Sequence, residues 1–87
     1  MVKLLDFYAN WCGPCKMMDP ILLELEGEWK DKISIEKIDV DAQTDIASQY
    51  GVMSIPTYVV VKDNSEVGRI IGYKPKADFK KQIESYI

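Results

Sequence analysis

Along the chain the spacing of apolar residues changes period repeatedly, and each change marks an element. Val2 to Ala9 is a short run apolar on both faces, the pattern of a strand covered on two sides. One carboxylate, Asp6, interrupts it. From Gly13-Pro14 the period lengthens: Met18, Leu22, Leu25 and Trp29 recur at helical spacing, with Met17 and Ile21 beside them, so a helix is predicted to about Trp29. Proline suits a helix's first turn, where its missing N–H has no intrahelical partner to lose. Pro20 lies inside the pattern and predicts a kink, because it removes one backbone bond and crowds the preceding turn. Lys30-Asp31-Lys32 reads as a polar turn, and Ile33 to Val40 as a second strand whose mixed polarity suits a sheet edge.

Asp41 is expected to cap a short helix reaching about Tyr50, which Gly51 ends in the left-handed conformation. Thr57 to Val61 and Glu66 to Ile71 are two strands joined around Asp63-Asn64-Ser65, where Asn and Asp tolerate the positive φ of a tight hairpin. Pro75 starts a last helix in which Phe79, Ile83, Tyr86 and Ile87 share one stripe. The order β-α-β-α-β-β-α predicts an α/β fold, a four-stranded mixed sheet with helices on both faces. Its first two strands should be parallel through a right-handed crossover and its last two an antiparallel hairpin. At 87 residues the expectation is one domain, 1–87, without linkers or repeats.

Composition narrows the function classes. Apolar residues make up 47% and charged residues 29%, which fits a globular core and not a disordered chain. A net charge of −3 without a basic run argues against a nucleic-acid surface. No apolar stretch approaches the ~18 residues of a membrane span, and no signal-peptide pattern precedes the first strand. With only two cysteines, the expected compartment is the cytoplasm, where such a pair is more often catalytic than structural. The absence of histidine removes His-based triads and His-ligated metal sites.

Both cysteines fall in Asn10-Trp11-Cys12-Gly13-Pro14-Cys15-Lys16, where the strand pattern gives way to the helix. A thiol attacks a disulfide only as its thiolate. At a helix N-terminus that anion is favoured by free backbone N–H groups and the positive end of the helix dipole, which together take a cysteine pKa from ~8.5 into a range of ~3.5–7.5. Cys12 occupies that place, with the Lys16 charge one turn on. Cys15 lies a turn inside and is expected to be more buried and less ionised, so Cys12 attacks and Cys15 resolves. Two blander readings compete. Half of a zinc site lacks its other ligands in this chain, leaving only an intermolecular site. A structural disulfide would close too small a loop to add much stability.

The run Leu5-Asp6-Phe7-Tyr8-Ala9-Asn10-Trp11-Cys12-Gly13-Pro14-Cys15-Lys16 resembles the active-site signature of the thioredoxin family. The likeness continues through Pro20, Lys37-Ile38-Asp39-Val40-Asp41 and Tyr50-Gly51-Val52-Met53-Ser54-Ile55-Pro56-Thr57 to Gly72. Thioredoxins are themselves among the proteins that define the lowered thiol range given above. The resemblance implies a protein-disulfide reductase with no bound cofactor beyond a redox-active Cys12–Cys15 disulfide. Its implied partners are disulfide-bearing protein substrates and a thioredoxin reductase or similar donor, and it implies a monomer. Asp6 would be a buried acid of raised pKa that takes a proton from Cys15, with Lys37 tuning its charge. Pro56 would be cis and face the dithiol. Trp11, Gly13, Pro14, Val40, Ile55, Pro56, Gly72 and Tyr73 would form a shallow substrate apron on which the Ile55 backbone pairs with a bound segment.

The chain also departs from the pattern. Thioredoxins usually begin with a further strand and helix, which makes Ile33 to Val40 an expected sheet edge here. Tyr8 stands where Trp is more common, Asp19 where a small residue is common, Asn64 where the hairpin usually has glycine and Pro75 where a Ser often caps the last helix. Two alternatives remain open on sequence: a glutaredoxin-like, glutathione-coupled oxidoreductase, suggested by the short length, and a non-catalytic binding module on the same fold.

Overall fold

The Val2–Tyr8 run, apolar on both faces, becomes the inner strand β1 of a four-stranded sheet in the computed structural model, which describes residues 2–87. The remaining elements are α1 (Gly13–Glu28), β2 (Ile33–Asp39), α2 (Thr44–Gln49), β3 (Thr57–Lys62), β4 (Ser65–Ile71) and α3 (Lys76–Glu84). The sheet order is β2-β1-β3-β4, so β2 is an edge, as its mixed polarity predicts. β1 pairs in parallel with β2, from Val2 opposite Ile33 to Tyr8 opposite Asp39, and antiparallel with β3. β3 and β4 form the hairpin, with a register shift between Val60 and Val61. Its two-residue turn, Asp63-Asn64, has positive φ at both positions (52° and 69°).

Alternation along the strands divides the core into two layers. Leu4, Tyr58, Val60 and Ile70 meet Met18, Leu22, Leu25 and Trp29 of the first helical stripe together with Phe79 and Ile83 of α3. On the opposite face Leu5, Phe7, Ile38 and Val59 pack with Ala47 of α2, flanked by the half-buried Ile46 and Tyr50. Each fully buried large side chain contributes about 1.5–3 kcal/mol relative to exposure, so the two-helix face holds most of the stability.

Several local expectations are corrected. Asp41 does not cap the second helix. Ala42 and Gln43 donate their backbone N–H groups to the Asp39 carbonyl (3.1 and 2.8 Å), and this turn delays the helix to Thr44. Gln43 holds the N-cap position without a side-chain cap bond. Asp39 instead accepts the Asp41 N–H through Oδ1 at 2.9 Å. α3 stops at Glu84, so Ile87 leaves the apolar stripe and is 46% exposed, while Tyr86 stays half-buried over Gly68, where any Cβ would overlap its ring. Met17 is exposed, on the solvent side of α1. Gly51 takes the left-handed conformation expected after α2, at φ 63°.

Candidate active site

β1 delivers the chain to a tight turn at the carboxyl end of the sheet, closed by the Cys12 N–H donating to the Ala9 carbonyl at 3.1 Å. Cys12 is then the N-cap of α1, extended at φ −83° and ψ 109°, with Pro14 in the first turn. Its Sγ accepts the backbone N–H of Cys15 at 3.1 Å, so sulfur takes the place that a Ser or Asp oxygen usually fills at a helix start. That N–H and the dipole behind it favour negative charge on this sulfur whenever it is reduced. Cys12 and Cys15 are joined as a disulfide with Cα atoms 5.3 Å apart.

The two cysteines are equally covered, each 4% exposed, against the expectation that Cys15 would be the more buried. Both pack in one cluster with Ala9, Tyr8, Val40 and Ile55. What separates them is helix position: Cys12 caps, and Cys15 lies inside the first turn.

Asp6 is 1% exposed in the middle of β1. Burial pushes its carboxyl up to about 6, the Lys37 ammonium opposes that rise and the Asp19 carboxylate adds to it. Its Oδ1 has no hydrogen-bond partner among the described residues. Asp6 opens into a cavity of about 290 Å³ lined also by Asp19, Leu22, Leu23, Glu26, Ile35 and Lys37. Cys15 lines a neighbouring cleft of about 190 Å³ with Tyr8, Ala9, Asn10, Lys16, Asp19 and Lys37. Lys37 is opposite Asp6 in the parallel register, yet its ammonium lies 3.4 Å from Asp19 Oδ1 and 4.6 Å from the centre of the Tyr8 ring.

On the other side of the dithiol, Trp11, Val40 and Ile55 meet in an open groove of about 370 Å³ with Val52, Met53 and Ser54. The Ile55–Pro56 peptide bond is cis, the isomer that the resemblance implies. Thr57 Oγ1 donates to the Ser54 carbonyl at 2.6 Å and fixes the turn that precedes it. Gly72, at φ 88°, donates its N–H to the Pro56 carbonyl at 2.8 Å, which sets Gly72 and Tyr73 beside that proline and outside the groove's lining. Gly13 and Pro14 are exposed at the start of α1. The sequence reading missed two residues here. Asp41 accepts the Trp11 indole N–H at 2.8 Å, and Met53 is 98% exposed on the rim. The signals for them were their places in the Lys37–Asp41 and Tyr50–Thr57 runs, and Asp41 was otherwise marked only as a helix cap.

Comparison with known proteins places this geometry. The thioredoxin family model matches residues 1–85. Thioredoxin of Bacillus subtilis is 49% identical over 86 residues, covering 99% of this chain and 83% of its own length, and that of Staphylococcus epidermidis is 45% identical over the same spans. Among solved structures, oxidised mitochondrial thioredoxin 3 of Saccharomyces cerevisiae superposes with a TM-score of 0.89 at 42% identity, covering 97% of this chain and 77% of that one. Fasciola hepatica thioredoxin gives a TM-score of 0.91 at 32% identity, covering 99% and 81%.

Proposed function

The chain belongs to the thioredoxin family, and from that membership we infer how its residues divide the work of reducing a disulfide. It is a protein-disulfide oxidoreductase that carries two electrons in the Cys12–Cys15 pair and needs no bound cofactor. Its substrates are disulfide-containing proteins, and a reductase restores the dithiol.

The roles of individual residues are our proposal. The Cys12 thiolate attacks one sulfur of a substrate disulfide, forming a mixed disulfide and releasing the other sulfur as a thiolate that takes up a proton. Asp6 accepts the Cys15 proton, directly or through solvent in the adjoining spaces. The Cys15 thiolate then attacks Cys12 Sγ, breaks the mixed disulfide and releases the second substrate thiol. Two electrons have passed to the substrate, and the Cys12–Cys15 disulfide remains. The observation that carries this assignment is Cys12 at the N-cap with its sulfur on the Cys15 N–H, because it favours charge on one sulfur of the pair. Lys37 tempers the Asp6 charge. Trp11, Gly13, Pro14, Val40, Ile55, Pro56, Gly72 and Tyr73 receive the substrate segment, the exposed Trp11 supplying flat apolar area and Ile55 a backbone edge.

We further read residues 1–87 as one domain that works as a cytoplasmic monomer without binding nucleic acid or membrane. The net charge of −3 without a basic run supports the absence of a nucleic-acid surface, and no helix among the described residues is long and apolar enough to cross a membrane.

Insulin reduction with dithiothreitol as electron source tests the whole scheme. Cys12→Ser should abolish turnover, and Cys15→Ser should accumulate a mixed disulfide through Cys12. Wild-type turnover by Cys12→Ser would sink it.

A further inference from the structure

Asp19 and Lys37 are the two residues common to the Asp6 cavity and the Cys15 cleft, and they are paired with each other. Lys37 is anchored on β2 directly opposite Asp6, lines the same cavity and acts on its carboxyl. It lies instead against Asp19, on the first turns of α1, and over the Tyr8 ring. A half-exposed pair of this kind adds little to stability. What it fixes is the location of a positive charge in the wall between the buried acid and the resolving cysteine.

We propose that Asp19 is a positioning residue for the resolving step: by holding the Lys37 ammonium in that shared wall, it withholds the cation from Asp6 and so sets how readily Asp6 accepts the Cys15 proton. The proposal rests on Asp6 being the base. The charged and titratable groups around Asp6 are Lys37 from β2, Asp19 and Glu26 from α1, and Tyr58 from β3. Of these, Asp19 and Lys37 act on Asp6 in opposite senses, and Lys37 is the only cation. Replacing Asp19 by Asn therefore does two things of the same sign: it removes a neighbouring negative charge and frees Lys37 to turn toward Asp6. Both favour the Asp6 carboxylate and make it a weaker base.

The test combines carboxyl NMR titration of Asp6 in the reduced full chain with the pH profile of substrate release from a preformed Cys12 mixed disulfide. In Asp19→Asn the Asp6 midpoint should fall by about half a pH unit or more, and the acid limb of the release profile should move down with it. In a Lys37→Met background the same substitution should shift the midpoint less, since no cation remains to be released. An equal shift in both backgrounds, or none in either, overturns the proposal. Asp6→Asn separates the two layers of the argument. If it erases the acid limb while Asp19→Asn leaves the limb in place, the positioning role fails and the base survives. If it leaves the limb untouched, the base assignment fails and takes the proposal with it.

Discussion

The Trp11 indole N–H donates to Asp41 Oδ2 at 2.8 Å across thirty residues of sequence, tying the turn that carries the dithiol to the loop after β2. Trp11 is 70% exposed, so this bond and little else orients the ring at the edge of the Ile55 groove. An exposed bond of this type is worth about 1 kcal/mol. Asp41→Ala should lower kcat/KM for a protein disulfide about fivefold, cost about 1 kcal/mol of stability, and leave small-molecule disulfides unaffected. Equal loss with small and protein substrates would show that Trp11 acts on the thiol and not on substrate seating.

Asp6 makes stability depend on pH in the opposite sense to an ordinary paired carboxylate. Its folded value is about 6 against 3.8 for the free group, so between those values the native state binds more protons than the unfolded chain. Stability from this group is full below pH 4 and is lost as pH rises through 6. The isosteric Asp6→Asn should therefore be more stable than wild type by up to about 3 kcal/mol at pH 8, with the advantage disappearing near pH 4. Urea melts of the oxidised protein at the two pH values give the comparison, and a variant no more stable at pH 8 would contradict the buried-charge account.

Phe79 meets Tyr58 edge to face, with ring centroids 4.9 Å apart, and both are fully buried between α3 and the sheet. Truncating Phe79 to Ala should cost about 3–5 kcal/mol. A domain this size holds about 5–10 kcal/mol in total, so the variant should lose roughly a third or more of its stability, visible as a large fall in Tm.

Trp29 ends the apolar stripe of α1 and donates its indole N–H to Glu84 Oε2 at 2.9 Å, joining the last turns of α1 and α3. Because the donor ring is 2% exposed, losing this acceptor costs more than a surface contact would. Glu84→Ala should destabilise by about 1–2 kcal/mol and Glu84→Gln by less, since the amide oxygen can still accept. Equal losses would assign the effect to the carboxylate's charge and not to its acceptor oxygen.

What the sequence made legible was local. Cys12 and Cys15 share one turn, Asp6 breaks an otherwise apolar run, and the Asp63-Asn64 turn announces itself by residues that accept positive φ. Asp41 shows the limit. An Asp ahead of a helical segment is a cap signal, but the Asp39 carbonyl had already taken the local N–H groups, and the freed carboxylate found Trp11 far away in sequence. Ile87 kept its place in a helical period after the helix itself had ended. Asp19 was legible only as a departure from a small residue, because its partner Lys37 lies on another element. The equal burial of the two cysteines reflects the residues packed over their turn, which spacing does not reveal.

The strand order has a consequence for synthesis. β1 is hydrogen-bonded on one side to β2 and on the other to β3, so the segment leading to Cys12 acquires its second neighbour only when residues 57–62 arrive. Ile55, which packs against the thiols in the finished protein, leaves the ribosome well after they do. At about 5–20 residues per second that interval lasts several seconds. Throughout it the nascent chain carries a pair of thiols that lack part of their final cover. The reactive centre is translated before the residue that completes its enclosure.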